Sequence, residues 1–295
     1  MVNFKLTTPI LFLVFNRLET TKKVFKEIQK AKPKQLFIAA DGPQTKEEKK
    51  KTDAIRKYIL DNIDWKCKVK TLFRDKNLGC KHAVSSAIDW FFENTEKGII
   101  LEDDCLPSQS FFRFCQEMLE RYKDDTRIMQ ISGTNIEGKS KIEESYFFAN
   151  CFNAWGWATW RRAWKEYDID MKKFIKIKKD VSIQFENAPF VGWKGKRLYS
   201  LLRDGKIDTW DYQWIYSCII NSGKCIIPKV NLIENLGFFE GTHTVGSCYQ
   251  NLKRADIKWT FSENEILLNN KSYQKAYAKF FKKGQIKRFL KNIIK

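Results

Sequence analysis

Between residues 9 and 101, four short apolar runs alternate with helical patterns, and this alternation restricts the fold more than any other feature of the chain. The runs are Pro9–Phe15, Lys34–Ala40, Cys67–Phe73 and Gly98–Leu101. Short runs without polar alternation suit strands buried on both faces, as in a parallel sheet. Between them, Glu19–Lys30 carries Val24, Phe25 and Ile28 on one face, and a charged helix from Lys46 to Leu60 carries Ala54, Ile55, Tyr58 and Ile59. After Gly79, residues Cys80, Ala83, Val84, Ala87, Ile88, Phe91 and Phe92 form an apolar stripe at helical spacing. Alternation of this kind predicts an α/β fold with a Rossmann-like, mainly parallel sheet flanked by helices.

Right-handed crossovers put the C-terminal ends of such strands on one edge, where open α/β sheets bind ligands. The polar residues expected there are Asn16-Arg17, Asp41, Arg74–Gly79 and Glu102-Asp103-Asp104. Three successive carboxylates at the mouth of a buried strand repel one another unless a cation joins them, and a hard divalent ion, Mn²⁺ or Mg²⁺, prefers such oxygen ligands. A solvated acidic turn is the alternative reading. The helix after Gly79 should point its free amides at the same edge, where Arg74, Lys81 and His82 add donors suited to a phosphate. Arg17 and Asp41 could hold a base or ribose, although Asp41-Gly42-Pro43 is also an ordinary turn signal.

Further along, Pro107–Tyr122 reads as a helix with proline near its start, and Arg127–Ile131 as a strand. An aromatic block follows, with Phe147, Phe148, Phe152, Trp155, Trp157, Trp160 and Trp164, which serves either as core or as a face for stacking a sugar ring. Residues 192–203 read as helical, Trp210-Asp211 opens a helix to about Asn221, and Lys224–Asn231 is strand-like. Asp211 and Asp208 compete for two roles, a helix-capping carboxylate and a general base whose pKa is raised by large apolar neighbours. His243, in a glycine-containing loop over 235–249, is either a surface residue or a lid ligand to metal or diphosphate. The Tyr273–Lys295 tail is basic and amphipathic, suited to an anionic membrane surface or to the protein's own core.

The formal charge of +19 favours polyanionic partners, but a nucleic-acid binder leaves the acidic rim without a purpose, so no nucleic acid is expected. Eight cysteines are scattered without a Cys-x-x-Cys pair, which predicts neither zinc nor a disulfide framework. No apolar run is long enough to span a bilayer and no signal-peptide pattern opens the chain, so a soluble or peripheral protein is expected.

Leu101-Glu102-Asp103-Asp104 followed by Pro-Ser-x-x-Phe-Phe resembles the acidic metal motif of GT-A glycosyltransferases, in particular the N-acetylglucosaminyltransferase I type, and is similar to bacterial surface-polysaccharide sugar transferases. Trp155-Gly156-Trp157 and Trp210-Asp211 lie downstream in similar order. The resemblance covers residues 8–245. It implies a GT-A domain over 1–260 (a nucleotide-sugar half at 8–135, an acceptor half at 136–260) and a separate tail at 261–295. It further implies a nucleoside-diphosphate sugar donor, UDP most often, a glycan or lipid-linked saccharide acceptor, Mn²⁺ or Mg²⁺, and a cytoplasmic enzyme, peripheral on the inner face of a bacterial membrane. By the same resemblance, Asp104 contacts the metal, Glu102 and Asp103 hold ribose and metal waters, Arg17 and Asp41 contact the base, and Asp211 is the catalytic base. The spacing Trp-Asp-Tyr-Gln-Trp is one residue longer than the family's. A sugar-phosphate nucleotidyltransferase is the rival on a similar sheet, but Asn16-Arg17-Leu18-Glu19 lacks the glycine-rich basic loop expected after its first strand.

Overall fold

The computed structural model of the chain describes residues 4–173, 200–202, 204–237, 252–257 and 268–279. Each of the four apolar runs forms a strand: β1 (Ile10–Val14), β2 (Gln35–Ala40), β3 (Lys68–Phe73) and β4 (Lys97–Glu102). They are joined by α1 (Leu18–Ala31), α2 (Lys46–Asp61) and α3 (Gly79–Asn94). All four strands run parallel, in the order β3-β2-β1-β4. β1 is buried along its whole length, whereas β3 alternates lysines with half-buried residues, as befits the charged edge of a sheet. The start of α2 follows from Thr45-x-x-Glu48: Thr45 Oγ1 accepts from Glu48 N at 3.1 Å, and Glu48 Oε2 accepts from Gln44 N at 2.7 Å.

Beyond Asp104, the short β5 (Cys105–Pro107) precedes α4 (Gln109–Arg121). Pro107 therefore closes a strand instead of opening a helix: it lies opposite Ile233, and Ser108 takes the position before α4. The sheet then continues through β6 (Ile128–Ser132), β7 (Tyr146–Ala149), β8 (Trp157–Trp160) and β9 (Lys224–Pro228). β8 enters antiparallel between β4 and β6, giving eight strands in the order β3-β2-β1-β4-β8-β6-β9-β7. One sheet thus includes strands from both sides of residue 135. α5 (Arg161–Trp164) follows β8, α6 (Asp211–Ile220) precedes β9, and β10 (Ile233–Asn235) pairs antiparallel with β5.

α1, α2 and α4 cover one face of the sheet; α3, α5 and α6 cover the other. Apart from the half-buried Trp155, the aromatic block is core. Trp157, Trp160, Trp164, Trp210 and Trp214 are all buried, and the Trp157 ring lies 5.6 Å from Trp210 and 5.5 Å from Trp214. Gly156, at φ +59°, lets the backbone pass where a Cβ would meet Ile233. The membrane expectation for the tail needs correction over its first part. Helical residues 271–279 bury Tyr273 and Tyr277 in the main core, and Tyr277 Oη donates to the Phe152 carbonyl at 2.5 Å, so those apolar groups are already covered. Residues 280–295 lie outside the described residues, as do most of the expected 192–203 helix and of the 235–249 loop. Among the described residues no helix is long and apolar enough to cross a membrane.

Candidate active site

β1 and β4 are neighbours, with Leu13 opposite Glu102, yet their connections lie on opposite faces: α1 leaves β1 on one side and α3 reaches β4 on the other. This is the topological switch point of the sheet, where the strand ends open a crevice. Phe15-Asn16-Arg17 and Glu102-Asp103-Asp104 flank it. Asp103, only 2% exposed, turns inward. Its Oδ2 accepts from Phe15 N at 3.2 Å and its Oδ1 pairs with Arg17 Nη2 at 2.8 Å. The other arm of the same guanidinium, Nη1, lies 2.9 Å from Asp104 Oδ2. The β5–β10 ribbon brings a third segment to the pair: Leu236 N donates to the Asp104 carbonyl at 2.8 Å, and a Cβ on Gly237 would sit 2.3 Å from Asp104 Oδ2.

Charge is unbalanced here. Burial, reinforced by Asp104, Asp103 and Asp211, pushes Glu102 well above the usual carboxylate range. Burial also raises Asp103, to about 7, against the opposing pull of Arg17. Burial works against the charge on Arg17, but Asp103, Asp104 and Glu102 outweigh it and hold the guanidinium protonated more firmly than usual. One guanidinium facing these acids leaves room for further positive charge.

The start of α3 differs from expectation. Its amides were expected to await a phosphate; instead, two carboxylates hold them. Asp41 accepts from Leu78 N at 3.0 Å and Gly79 N at 3.2 Å, while Asp208 accepts from Cys80 N at 2.7 Å and Lys81 N at 2.8 Å. Unpaired amides and the helix dipole attract any anion, and these two are covalently tethered nearby. Gly79, at φ +76°, has room for no side chain because a Cβ would lie 2.7 Å from Asp208 Oδ2. Arg74 runs along α3, its Nη2 donating to Ser86 Oγ at 2.8 Å; Lys81 is half-buried and His82 is exposed on the first turn. Asn16 donates to Glu48 Oε1 at 2.8 Å, tying the end of β1 to α2.

Of the two competing aspartates, Asp208 is thus the cap, on a helix 128 residues earlier in the chain. Asp211 opens α6. Its Oδ1 accepts from Tyr212 N at 3.0 Å and from the Thr209 hydroxyl, and its charge reaches Glu102, Cys80 and Tyr167. Sequence reasoning missed the parts played by Gly237, Thr209 and Glu48. Only Glu48 left a local signal, the capping pattern with Thr45. His243 lies outside the described residues.

No family model matches the chain, and no curated protein matches it. Among solved structures, it is similar to a mannosyltransferase, PcManGT, from Pyrobaculum calidifontis in complex with GDP-Man and Mn²⁺, at 12% identity and a TM-score of 0.39, covering 53% of this chain and 45% of that one. A UDP-glucose pyrophosphorylase aligns at 12% identity and a TM-score of 0.38, over 83% of this chain and 96% of that one. HddC from Yersinia pseudotuberculosis aligns at 10% identity and 0.34, over 55% and 80%. These neighbours include enzymes of nucleotide-sugar chemistry, but at such scores the likeness carries no argument, and the chain spans less than half the length of the mannosyltransferase.

Among the described residues no three His, Cys, Asp or Glu side chains converge as a closed cage. A Mg²⁺- or Mn²⁺-type ion that is shared with substrate phosphates needs only one or two carboxylates. Asp104, with 15% of its side chain exposed beside unbalanced acids, fits that open kind of site.

Proposed function

We propose that the chain is a metal-dependent glycosyltransferase of GT-A type, which moves a sugar from a nucleoside-diphosphate donor to a hydroxyl of a glycan or lipid-linked acceptor, with inversion. The observation that carries this reading is the acidic cluster at the β1–β4 switch point, to which Arg17 is the one cation paired among the described residues. Asp104 would hold the ion, with His243 as a second candidate. When bound, Mn²⁺ or Mg²⁺ supplies positive charge to the departing diphosphate. Asp103 anchors Arg17 and the end of β1, and Glu102 lies behind Asp104 at the end of β4. Asn16 and Arg17 border the place for the nucleotide. Asp41, engaged with the α3 amides, shapes the wall there instead of offering free oxygens. With the α3 start already capped, the donor diphosphate belongs over Asp104 and not at that helix.

Asp211 takes the proton of the acceptor hydroxyl. The oxygen so exposed forms a bond to the anomeric carbon as the bond to the diphosphate breaks on the opposite face, and the leaving group departs with the electron pair. Thr209 and the Tyr212 amide hold one carboxylate oxygen of Asp211, which orients the group.

The nucleotidyltransferase reading meets a specific obstacle: only Phe15, Asn16 and Arg17 separate β1 from α1, with no glycine to wrap a triphosphate. The test is turnover with nucleotide sugars plus Mn²⁺, following released nucleoside diphosphate. Asp104→Ala and Asp211→Asn should each abolish release, with only Asp104→Ala weakening donor binding. Near-full turnover by Asp211→Asn removes the base assignment, and pyrophosphate release from a nucleoside triphosphate and a sugar phosphate removes the transferase reading.

A further inference from the structure

Among the described residues, Arg17 is the only side chain ion-paired to Asp103 or Asp104, and it is paired to both. The two contacts are unequal in setting. Nη2 meets Asp103, whose side chain is 3% exposed and further fixed by the Phe15 amide, whereas Nη1 meets Asp104 on the rim, 15% exposed. Gly237 closes one side of the rim contact, since a Cβ there would lie 2.3 Å from Asp104 Oδ2 and 3.1 Å from Arg17 Nη1. The inner contact is therefore a pivot and the outer one can be given up.

Resting on the reading above, we propose that Arg17 is an internal counter-ion that holds Asp104 in the empty site and releases it when a divalent cation and a nucleoside diphosphate bind together. A metal ion on Asp104 competes with the guanidinium for the same carboxylate, because two positive charges held a few ångströms apart on it repel each other. A metal ion arriving alone weakens the Nη1 contact and leaves that arm short of an anionic partner. A diphosphate supplies one: a planar guanidinium pairs with phosphate oxygens as readily as with carboxylate. Metal and nucleotide then each strengthen the binding of the other by the same factor, as linkage requires. Arg17 would make metal loading conditional on donor loading.

The test is titration of MnCl₂ followed by the electron paramagnetic resonance signal of the free ion, with and without UDP or GDP. Wild type, Arg17→Met and Arg17→Lys are compared, with circular dichroism confirming that each is folded. Wild type should bind Mn²⁺ weakly alone and about tenfold or more tightly with one of the nucleotides, a coupling of ordinary size. Arg17→Met should bind Mn²⁺ alone several-fold more tightly than wild type and lose most of the nucleotide effect. Arg17→Lys keeps the charge without the fork and should fall between them, and it serves as the test if the methionine variant does not fold. Nucleotide-enhanced Mn²⁺ binding in wild type, with Arg17→Met equal to it or weaker, overturns the counter-ion role alone. Absence of Mn²⁺ binding in every protein with both nucleotides overturns the metal-dependent donor site and the counter-ion role with it.

Discussion

Replacing Asp208 by alanine separates a structural aspartate from a chemical one. Asp208 Oδ2 and Oδ1 accept from Cys80 N and Lys81 N at 2.7 and 2.8 Å, two short charge-assisted bonds at the start of a helix of 16 residues. A lost cap costs about 0.5–2 kcal/mol, and hydrogen bonds to a charged group about 1.5–3 each when buried. Asp208 is exposed, so water replaces part of what is removed, and the combined loss should be about 1–2 kcal/mol. For a chain of this length that lowers the melting temperature by roughly 1.5–3 °C. Urea denaturation monitored by tryptophan fluorescence reads the loss directly, as a lower midpoint at unchanged slope. Asp208→Asn, which keeps one acceptor oxygen, should lose less. Asp211→Asn, by contrast, should change stability little and remove turnover. An Asp208→Ala variant within about 0.3 kcal/mol of wild type would refute the capping argument, since surface changes unconnected to any such feature already fall in that range.

Other consequences concern pH and packing. In chelator-treated protein, stability should fall as pH rises from about 5 to 7.5: an unfolded aspartate has released its proton near pH 4, whereas Asp103 keeps its own up to about 7, so the folded state binds more protons across that window. Melting temperatures at pH 5, 6 and 7.5 measure the slope, and Asp103→Asn should reduce it, leaving the share of Glu102, whose carboxyl burial likewise pushes upward. Gly42→Ala should destabilise by about 1–3 kcal/mol, because its Cβ would lie 2.3 Å from the main-chain carbon of Lys76, which cannot move without pulling Leu78 and Gly79 off Asp41. Denaturant midpoints check this as well. Tyr277→Ala empties a buried site and leaves the Phe152 carbonyl without its donor, which should cost about 3–5 kcal/mol by the same assay. If 271–279 instead served a membrane, the loss would be small and vesicle binding would fall.

Much of the fold could be read before any coordinates because β1, β2 and the middle of β4 are apolar on both faces and α1 and α3 are not. Ile10–Val14 and Ile99–Leu101 can only be interior strands, and Val24, Phe25 and Ile28 can only face a sheet. β7 and β8 were less legible. Every residue of Trp157–Trp160 is buried, so the run has no period to show, and its aromatics suit core or ligand face equally. Pro107 misled because its position before Phe-Phe fits a helix start, while its pairing with Ile233 depends on a segment over a hundred residues away. The same distance problem governs the site. Strand order brings Arg17 to Asp104, and the route of the chain after residue 203 brings Asp208 to α3; neither has a local signature. The acids could be found by composition, but the guanidinium already among them could not.

The central claim is most directly tested by binding, not turnover. Nucleotide sugars should be titrated into the purified protein by calorimetry, with Mn²⁺ and with chelator, alongside Asp104→Ala. One or more sugar nucleotides should bind in the presence of Mn²⁺, bind at least about tenfold more weakly without it, and lose that difference in Asp104→Ala, as expected for an ion shared between carboxylate and diphosphate. Binding that is indifferent to Mn²⁺, or a metal effect that survives in Asp104→Ala, would contradict a metal-bridged donor site at the end of β4.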